Sequence, residues 1–560
     1  MHIKWKKEGR DSMNGAQAVI ETLKREGVKY IFGLPGTTIM HLLDALYDEK
    51  EIRYISVRHE QIAAFMADGF ARATGEIGVC MASRGPGAAN LTIGVHNAYA
   101  ESVPVMALLG QVSDSVYYKD AFEEMDLVKF FEPITKWSME IHQTERIPEL
   151  LQRGVKTALS GRPRPVAVSL PLDVQIKEVT EFSYRPVYRT DSRVIDLNRI
   201  PEVANLLKMA KNPVILAGGG VAISNATEEL VQLAEQLSIP VVTTWRKPNV
   251  FPNDHELYFG NVGPGCPPVS WEMLEKADLV LAVGVHFSEF STKRWTAISG
   301  DAKLIHIDVD EEELGKIYVP DVGLLGDARE TIRNIIDQLG PVKGKIQNRE
   351  LYQGLYPKYT HETTLPIPSN VSPVESSAVM TVVNEIVKEK NPIIVEDAAT
   401  FGPWLTRFGK FQPGGFYAAA GGSMGWGFPA AMGIQLANPD RVVINITGDG
   451  AFWMVAQDLE TAVRENIPVI NLVLNNYCYG NTRDRQKTAH NERYVGIHYN
   501  NIDFAAYAEL LGAYGERVES SEQLYGAIQR AITTGKPAII DVIQDPFEGL
   551  PPGAVPAVSK

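Results

Sequence analysis

The chain is predicted to be an α/β protein built from three doubly wound parallel-sheet domains. Three observations carry this. Short apolar runs of strand length alternate with helix-length stretches from Gly15 to about Leu172, from about Val194 to Leu339, and from Val374 to Asp545. That alternation builds parallel sheets covered by helices. Two polar, proline-containing segments, Glu178–Ser192 and Lys343–Pro373, read as linkers between the units. With 560 residues, the chain exceeds one core and suits three or four domains of roughly 150 residues each. The expected domains are 13–177, 194–340 and 374–545.

In the first unit an amphipathic helix, Ala16–Glu26, leads to strand Tyr30–Gly33, a Pro35-Gly36 turn and another helix. Strand Arg53–Val57, helix Gln61–Ala73, strand Gly78–Ser83, helix Ala88–Ala100 and strand Pro104–Gly110 follow. The second unit offers strands Val214–Ala217, Val241–Thr244, Leu279–Val283 and Leu304–Val309. In the third, an apolar strand from Val443 meets a tight Gly448-Asp449-Gly450 turn, an amphipathic helix, a second apolar strand and Asn475-Asn476. Pro546–Lys560 reads as a Pro/Gly tail.

Composition narrows the function classes. Lys+Arg 54 against Asp+Glu 68 gives a net charge of −14, which disfavours a nucleic-acid surface. Cys80, Cys266 and Cys478 are too scattered for a disulfide framework or a zinc pattern, so a reducing cytoplasm is expected. No apolar run approaches the ~18 residues of a membrane span, and the first twelve residues are polar, leaving Met1 or Met13 as the start.

Twenty-four residues separate Gly450 from Asn475, a length that suits one right-handed crossover between parallel strands. Both polar clusters then lie at carboxyl ends of strands, where open α/β sheets bind ligands. Asp449 and Asn476 supply hard oxygens suited to Mg²⁺, and the glycines let the backbone approach a phosphate at a helix N-terminus. Singly, a Gly-Asp-Gly turn and an Asn-Asn loop are common. Together, in this order and context, they resemble the thiamin-diphosphate fingerprint.

The first unit adds Arg58-His59-Glu60-Gln61, then Ser83-Arg84-Gly85-Pro86-Gly87-Ala88-Ala89-Asn90, then Leu109-Gly110-Gln111-Val112. In isolation Glu60 would be a solvated acid in the first turn of a helix. The succession, however, closely resembles the large catalytic subunit of acetolactate synthase and its thiamin-diphosphate-dependent relatives, over nearly the whole chain. The resemblance implies that Glu60 hydrogen-bonds N1′ of the cofactor's aminopyrimidine and promotes the imino tautomer that removes the thiazolium C2 proton. That role needs a carboxyl group in an apolar site. It also implies a cofactor between the first unit of one chain and the third unit of another, hence a homodimer or homotetramer.

Gly421-Gly422-Ser423-Met424-Gly425-Trp426 resembles the family's stretch beneath the cofactor. There Met424 would wedge between the cofactor's rings, and the Gly422 carbonyl would take the 4′-amino group. By the same resemblance Pro86, Asn90, Thr400, Ser423, Gly448, Gly450 and Ala451 contact the cofactor, and Gln111 contacts intermediates. The third metal ligand would be the backbone carbonyl of Cys478. A methionine among glycines is otherwise core filler.

The departures concern substrate. Asn481 and Arg485 stand where acetolactate synthases typically carry Met and Trp, and Phe290 replaces an arginine expected to hold the second substrate's carboxylate. Arg485 or Arg483 would substitute, since a guanidinium grips anionic groups through paired bonds. Phe122 and Lys136 match substrate-channel positions. Gln486, Asn491–Gly496 and Asn501–Ala505 resemble sulfoacetaldehyde acetyltransferase in spacing. Ala217-Gly218-Gly219-Gly220 corresponds to the family's flavin-holding domain, which makes FAD a candidate; the bland reading is that the glycines turn a strand into a helix.

The expected protein is therefore an enzyme using thiamin diphosphate and Mg²⁺ on a 2-oxo acid or other anionic carbonyl substrate, passing the two-carbon unit to a second carbonyl compound. The alternatives are simple decarboxylation, acetyl transfer to phosphate, or a non-catalytic cofactor-binding paralogue.

Overall fold

The computed structural model describes residues 12–179, 182–184, 196–341, 349–397, 399–500 and 502–554. It contains three six-stranded sheets in which every neighbouring pair runs parallel. The first runs, in spatial order, Arg53–Ser56, Tyr30–Gly33, Gly78–Ala82, Val105–Gln111, Val166–Pro171, Trp137–Glu140. The third runs Phe416–Ala418, Ile393–Glu396, Val443–Gly448, Ile470–Asn475, Ala538–Ile543, Tyr514–Val518. Counted within each domain, both follow the order 2-1-3-4-6-5, so the first and third domains share a topology that no sequence repeat announces. The central sheet runs 3-2-1-4-5-6, from Tyr258–Asn261 through Pro213–Ala217 and Leu279–Val283 to Val322–Leu325. The expected architecture and strand positions hold to within a residue or two. The notional domain start at 194 falls outside the described residues.

The central strands are largely apolar because helices cover both faces. Gly78–Ala82, Val105–Gln111 and Val166–Pro171 are buried at every residue. Helix Glu60–Thr74 is likewise buried on most sides, between helices Pro86–Glu101 and Gly427–Ala437. Small residues allow this. A Cβ on Gly69 would stand 2.2 Å from the Ala430 carbonyl oxygen, and one on Gly433 would stand 2.1 Å from that of Met66. The first and third domains thus pack helix on helix within one chain.

A buried charge network ties all three domains together. Arg72 pairs with Asp68 and Glu101 and donates to the Ala418 carbonyl. Lys247 of the central domain reaches Glu101 at 3.0 Å, and Arg246 reaches the fully buried Glu396 at 2.7 Å.

Two expectations are corrected. Segment Lys343–Pro373 is not simply a linker: it contains helix Arg349–Glu362, whose Leu351, Leu355 and Tyr359 recur at helical spacing and pack on the central domain. The sequence hid this behind Pro357 and many polar residues. Pro546–Lys560 is also more than a tail, for Ser376 N donates to Glu548 at 2.7 Å and Trp404 Nε1 to the Gly549 carbonyl at 3.2 Å.

Candidate active site

Strands Val443–Gly448 and Ile470–Asn475 are neighbours in register, Gly448 opposite Leu474, so Asp449 and Asn476 leave the carboxyl edge side by side. The chain reverses topological direction between Ile393–Glu396 and Val443–Gly448, which is where such sheets open a ligand crevice. Asp449 Oδ2 accepts from Tyr477 N at 2.8 Å and Oδ1 from Gly450 N at 3.0 Å. The Tyr499 phenol faces the same carboxylate, with its ring against that of Tyr479. Asp449 is 2% exposed, and no lysine or arginine pairs with it among the described residues. Burial pushes its carboxyl up to about 6. A cation at this point would supply the missing counter-charge.

Asn476 is buried, and its Oδ1 accepts weakly from Cys478 N at 3.3 Å. Asn475 turns the other way and donates to Asp541 at 2.8 Å, which assigns the two asparagines different jobs. Thr400 sits against Gly480, where an added Cβ would lie 3.3 Å from the threonine hydroxyl and 3.2 Å from Asn476 Nδ2. Gly450 lets the Tyr479 ring pack directly on the backbone, for a Cβ there would stand 2.6 Å from the ring. Ala451, also buried, continues the short helix Asp449–Phe452. The crossover is not one helix as expected: it is interrupted, with Leu459–Glu465 as its second part. Asp458, just before it, accepts from Arg58 N at 3.0 Å and Thr461 Oγ1 at 2.8 Å, docking the first domain.

The Gly421–Gly427 loop is shaped by a residue that sequence reasoning missed. Asp397, fully buried after strand Ile393–Glu396, accepts from Gly425 N and Gly427 N at 3.1 Å each and from Thr447 Oγ1 at 3.2 Å. The signal was a pair of acids, Glu396-Asp397, ending an apolar strand. Gly422 and Gly425 both take φ +81°, so the loop needs them. Ser423 is buried, Met424 half-buried and Gly422 exposed.

Glu60 opens its helix at 7% exposure, and Asn90 Nδ2 donates to its Oε2 at 2.9 Å. Gly87 lies close by, where a Cβ would come 3.1 Å from Glu60 Oε1. Pro86 and Asn90 are exposed on the same helix. Gln111, fully buried at its strand's end, donates to the Met125 carbonyl at 2.8 Å and accepts from Val112 N at 2.9 Å. No hydrogen bond joins Glu60 to the Asp449–Asn476 group among the described residues.

The expected substrate residues scatter. The Lys136 ammonium holds the carbonyls of Ser160 and Arg162. That turn presents Arg162 to Glu313 of the central domain at 2.7 Å, so Lys136 serves a domain clamp. Arg483 is 1% exposed and paired with Asp484 at 2.6 Å. Arg485 and Asn481 are exposed on helix Gly480–Ala489. Phe122 is 76% exposed beneath the Arg84 guanidinium. Phe290 packs edge-on against Trp245 at 4.6 Å.

In the central domain the glycine run starts helix Gly219–Ile223 and packs on the adjacent loop: Cβ atoms on Gly218 and Gly220 would lie 2.1 and 2.6 Å from Gly284. The run is therefore explained without a nucleotide.

A buried, uncompensated carboxylate, an amide oxygen, and backbone held open by obligatory glycines form a donor set that fits Mg²⁺ and a diphosphate. Comparison with known proteins agrees with this chemistry. Residues 13–130 match the N-terminal TPP binding domain of thiamine pyrophosphate enzymes, 200–335 their central domain and 397–542 their C-terminal TPP binding domain. The probable acetolactate synthase large subunit of Methanocaldococcus jannaschii is 38% identical over 556 residues, covering 96% of this chain and 93% of that protein. Its counterpart from Methanococcus aeolicus is 36% identical over 97% of this chain and 94% of its own length. The acetolactate synthase large subunit of Corynebacterium glutamicum is 33% identical, over 95% and 87%.

Proposed function

Because this chain belongs to the thiamine pyrophosphate enzymes, we propose that it works as a carboligase of the acetolactate synthase kind. It decarboxylates a 2-oxo acid and transfers the two-carbon unit to a second carbonyl compound. The observation that carries this is Asp449, buried without a cationic partner beside Asn476 at the carboxyl edge of two adjacent strands.

When bound, thiamin diphosphate supplies the carbon nucleophile and electron sink for decarboxylation. Asp449, Asn476 and the Cys478 carbonyl would hold Mg²⁺ and, through it, the diphosphate. Glu60, oriented by Asn90, holds and exchanges a proton at the aminopyrimidine N1′. Met424, on a loop fixed by Asp397, would support the cofactor's rings, and Gln111, held by the Met125 carbonyl and Val112 N, would contact intermediates. No hydrogen bond joins Glu60 to Asp449 or Asn476 among the described residues, and Pro86 and Asn90 are exposed beside Glu60. These features support a homodimer in which each site draws on two subunits. With Lys136 and Arg483 engaged elsewhere, Arg485 is left to guide an anionic substrate.

Phe290 in place of an arginine favours keeping a second acceptor chemistry in the test. The protein is incubated with thiamin diphosphate, Mg²⁺ and ¹³C-labelled pyruvate, with and without phosphate, and products are read by NMR. Acetolactate supports the carboligase reading. Acetaldehyde alone means a decarboxylase, and acetyl phosphate a transferase to phosphate. Flavin absorbance of the purified protein decides FAD occupancy.

A further inference from the structure

The first domain carries a second cluster of ligand-type side chains that the proposed reaction does not use. Past strand Val105–Gln111 the chain enters the turn Asp114–Val116, and the edge strand Trp137–Glu140 brings Glu140 and then His142 to the same place. His142 Nδ1 lies 3.3 Å from both Asp114 carboxylate oxygens, and Nε2 lies 3.8 Å from Glu140 Oε1. One ligand atom from each of the three falls within 4.8 Å of the others. They line a cavity of about 340 Å³ with Tyr117, Tyr118, Asp126 and Val128. The lining holds three carboxylates and neither lysine nor arginine; Asp126 is paired with Lys129.

Glu140 is already held in place. Its side chain is 9% exposed. Oε2 is anchored by Ser169 Oγ at 2.7 Å and Gln111 Nε2 at 3.5 Å. Oε1 accepts no hydrogen bond among the described residues, since the imidazole at 3.8 Å is too far for one. Oε1 therefore carries no hydrogen bond on the cavity side, which leaves a carboxylate oxygen uncommitted for a cation bound there.

We infer that Asp114, Glu140 and His142 form a second divalent-metal site, separate from Asp449 and Asn476, for a first-row transition ion of the Zn²⁺ class. One imidazole and two carboxylates suit such an ion better than the all-oxygen set that Mg²⁺ prefers. Ligands at about 2.0–2.1 Å from one ion stand roughly 3.4 Å apart. Side-chain exposures of 60% for His142 and 41% for Asp114 leave both free to close on a preset Glu140. Ser169 and Gln111 orient that carboxylate from behind. Three protein ligands leave a coordination position open to the cavity, and Glu140 links the ion to Gln111.

The test titrates Zn²⁺ calorimetrically into the full-length protein saturated with thiamin diphosphate and Mg²⁺, and follows Co²⁺ by its visible ligand-field absorption. One ion per chain is expected for the wild type. H142A and D114N, both at exposed side chains, should weaken binding at least tenfold with unchanged circular dichroism. D449N should leave this event in place. Absence of stoichiometric binding, equal binding by wild type, H142A and D114N, or loss of the signal in D449N alone would overturn the site.

Discussion

Glu60 is nearly buried, and its carboxylate accepts from the neutral amide of Asn90. Glu60→Gln should lower turnover at least ~100-fold, in the range general acid–base groups supply, while cofactor binding, followed by fluorescence quenching, changes little. Unaltered product formation by that variant would refute its role. Asp458 allows a cleaner thermodynamic test. Burial raises its carboxyl to about 6, above the ordinary value of 3.8. Between those values the folded state keeps a proton that the unfolded chain has released, so stability falls as pH rises through this window. Asp458→Asn retains an acceptor for Arg58 N and Thr461. It should flatten that slope and stabilise the protein by about 2 kcal/mol at pH 7 to 8, measured by urea unfolding across pH.

At the scale of elements, the helix pair Glu60–Thr74 and Gly427–Ala437 depends on Gly69 and Gly433 rather than on large side chains. Gly433→Ala places a methyl against the Met66 carbonyl, for which backbone must move. Destabilisation of about 1–3 kcal/mol is expected, and a thermal melt equal to wild type would show that the helices separate easily. Several elements were legible in the sequence for physical reasons. Tyr30–Gly33 and Leu279–Val283 are apolar runs between polar punctuation, and they occur at those residues. Helix Arg349–Glu362 was not legible, because its apolar stripe is interrupted by Pro357 and only the central domain reveals its purpose.

At the scale of the molecule, the shared 2-1-3-4-6-5 order puts Glu60 and Asp449 on sister domains that pack helix on helix within one chain. The proposed homodimer would let one cofactor draw Glu60 from one chain and Asp449 from the other. Mixing Glu60→Gln with Asp449→Asn should restore activity, because each hybrid dimer contains one site with both natural residues. Random exchange of subunits predicts about a quarter of wild-type activity. No recovery after verified subunit exchange would place both residues of a site in one chain. Among the described residues no helix is long and apolar enough to cross a membrane, in keeping with the composition.

The sequence by itself determined the three-domain α/β class, the Asp449–Asn476 pair and the candidacy of Glu60. Each rests on features close together along the chain: alternating apolar runs, a 24-residue crossover, a charge at a helix start. Only the tertiary structure decided that Asp397 shapes the Gly421–Gly427 loop, that Lys136 holds the Ser160 and Arg162 carbonyls, that Arg483 pairs with Asp484, and that Asp114, Glu140 and His142 converge. Those outcomes depend on strand order and side-chain direction. They bring together groups as distant as Arg246 and Glu396, 150 residues apart, whose pairing no local pattern encodes.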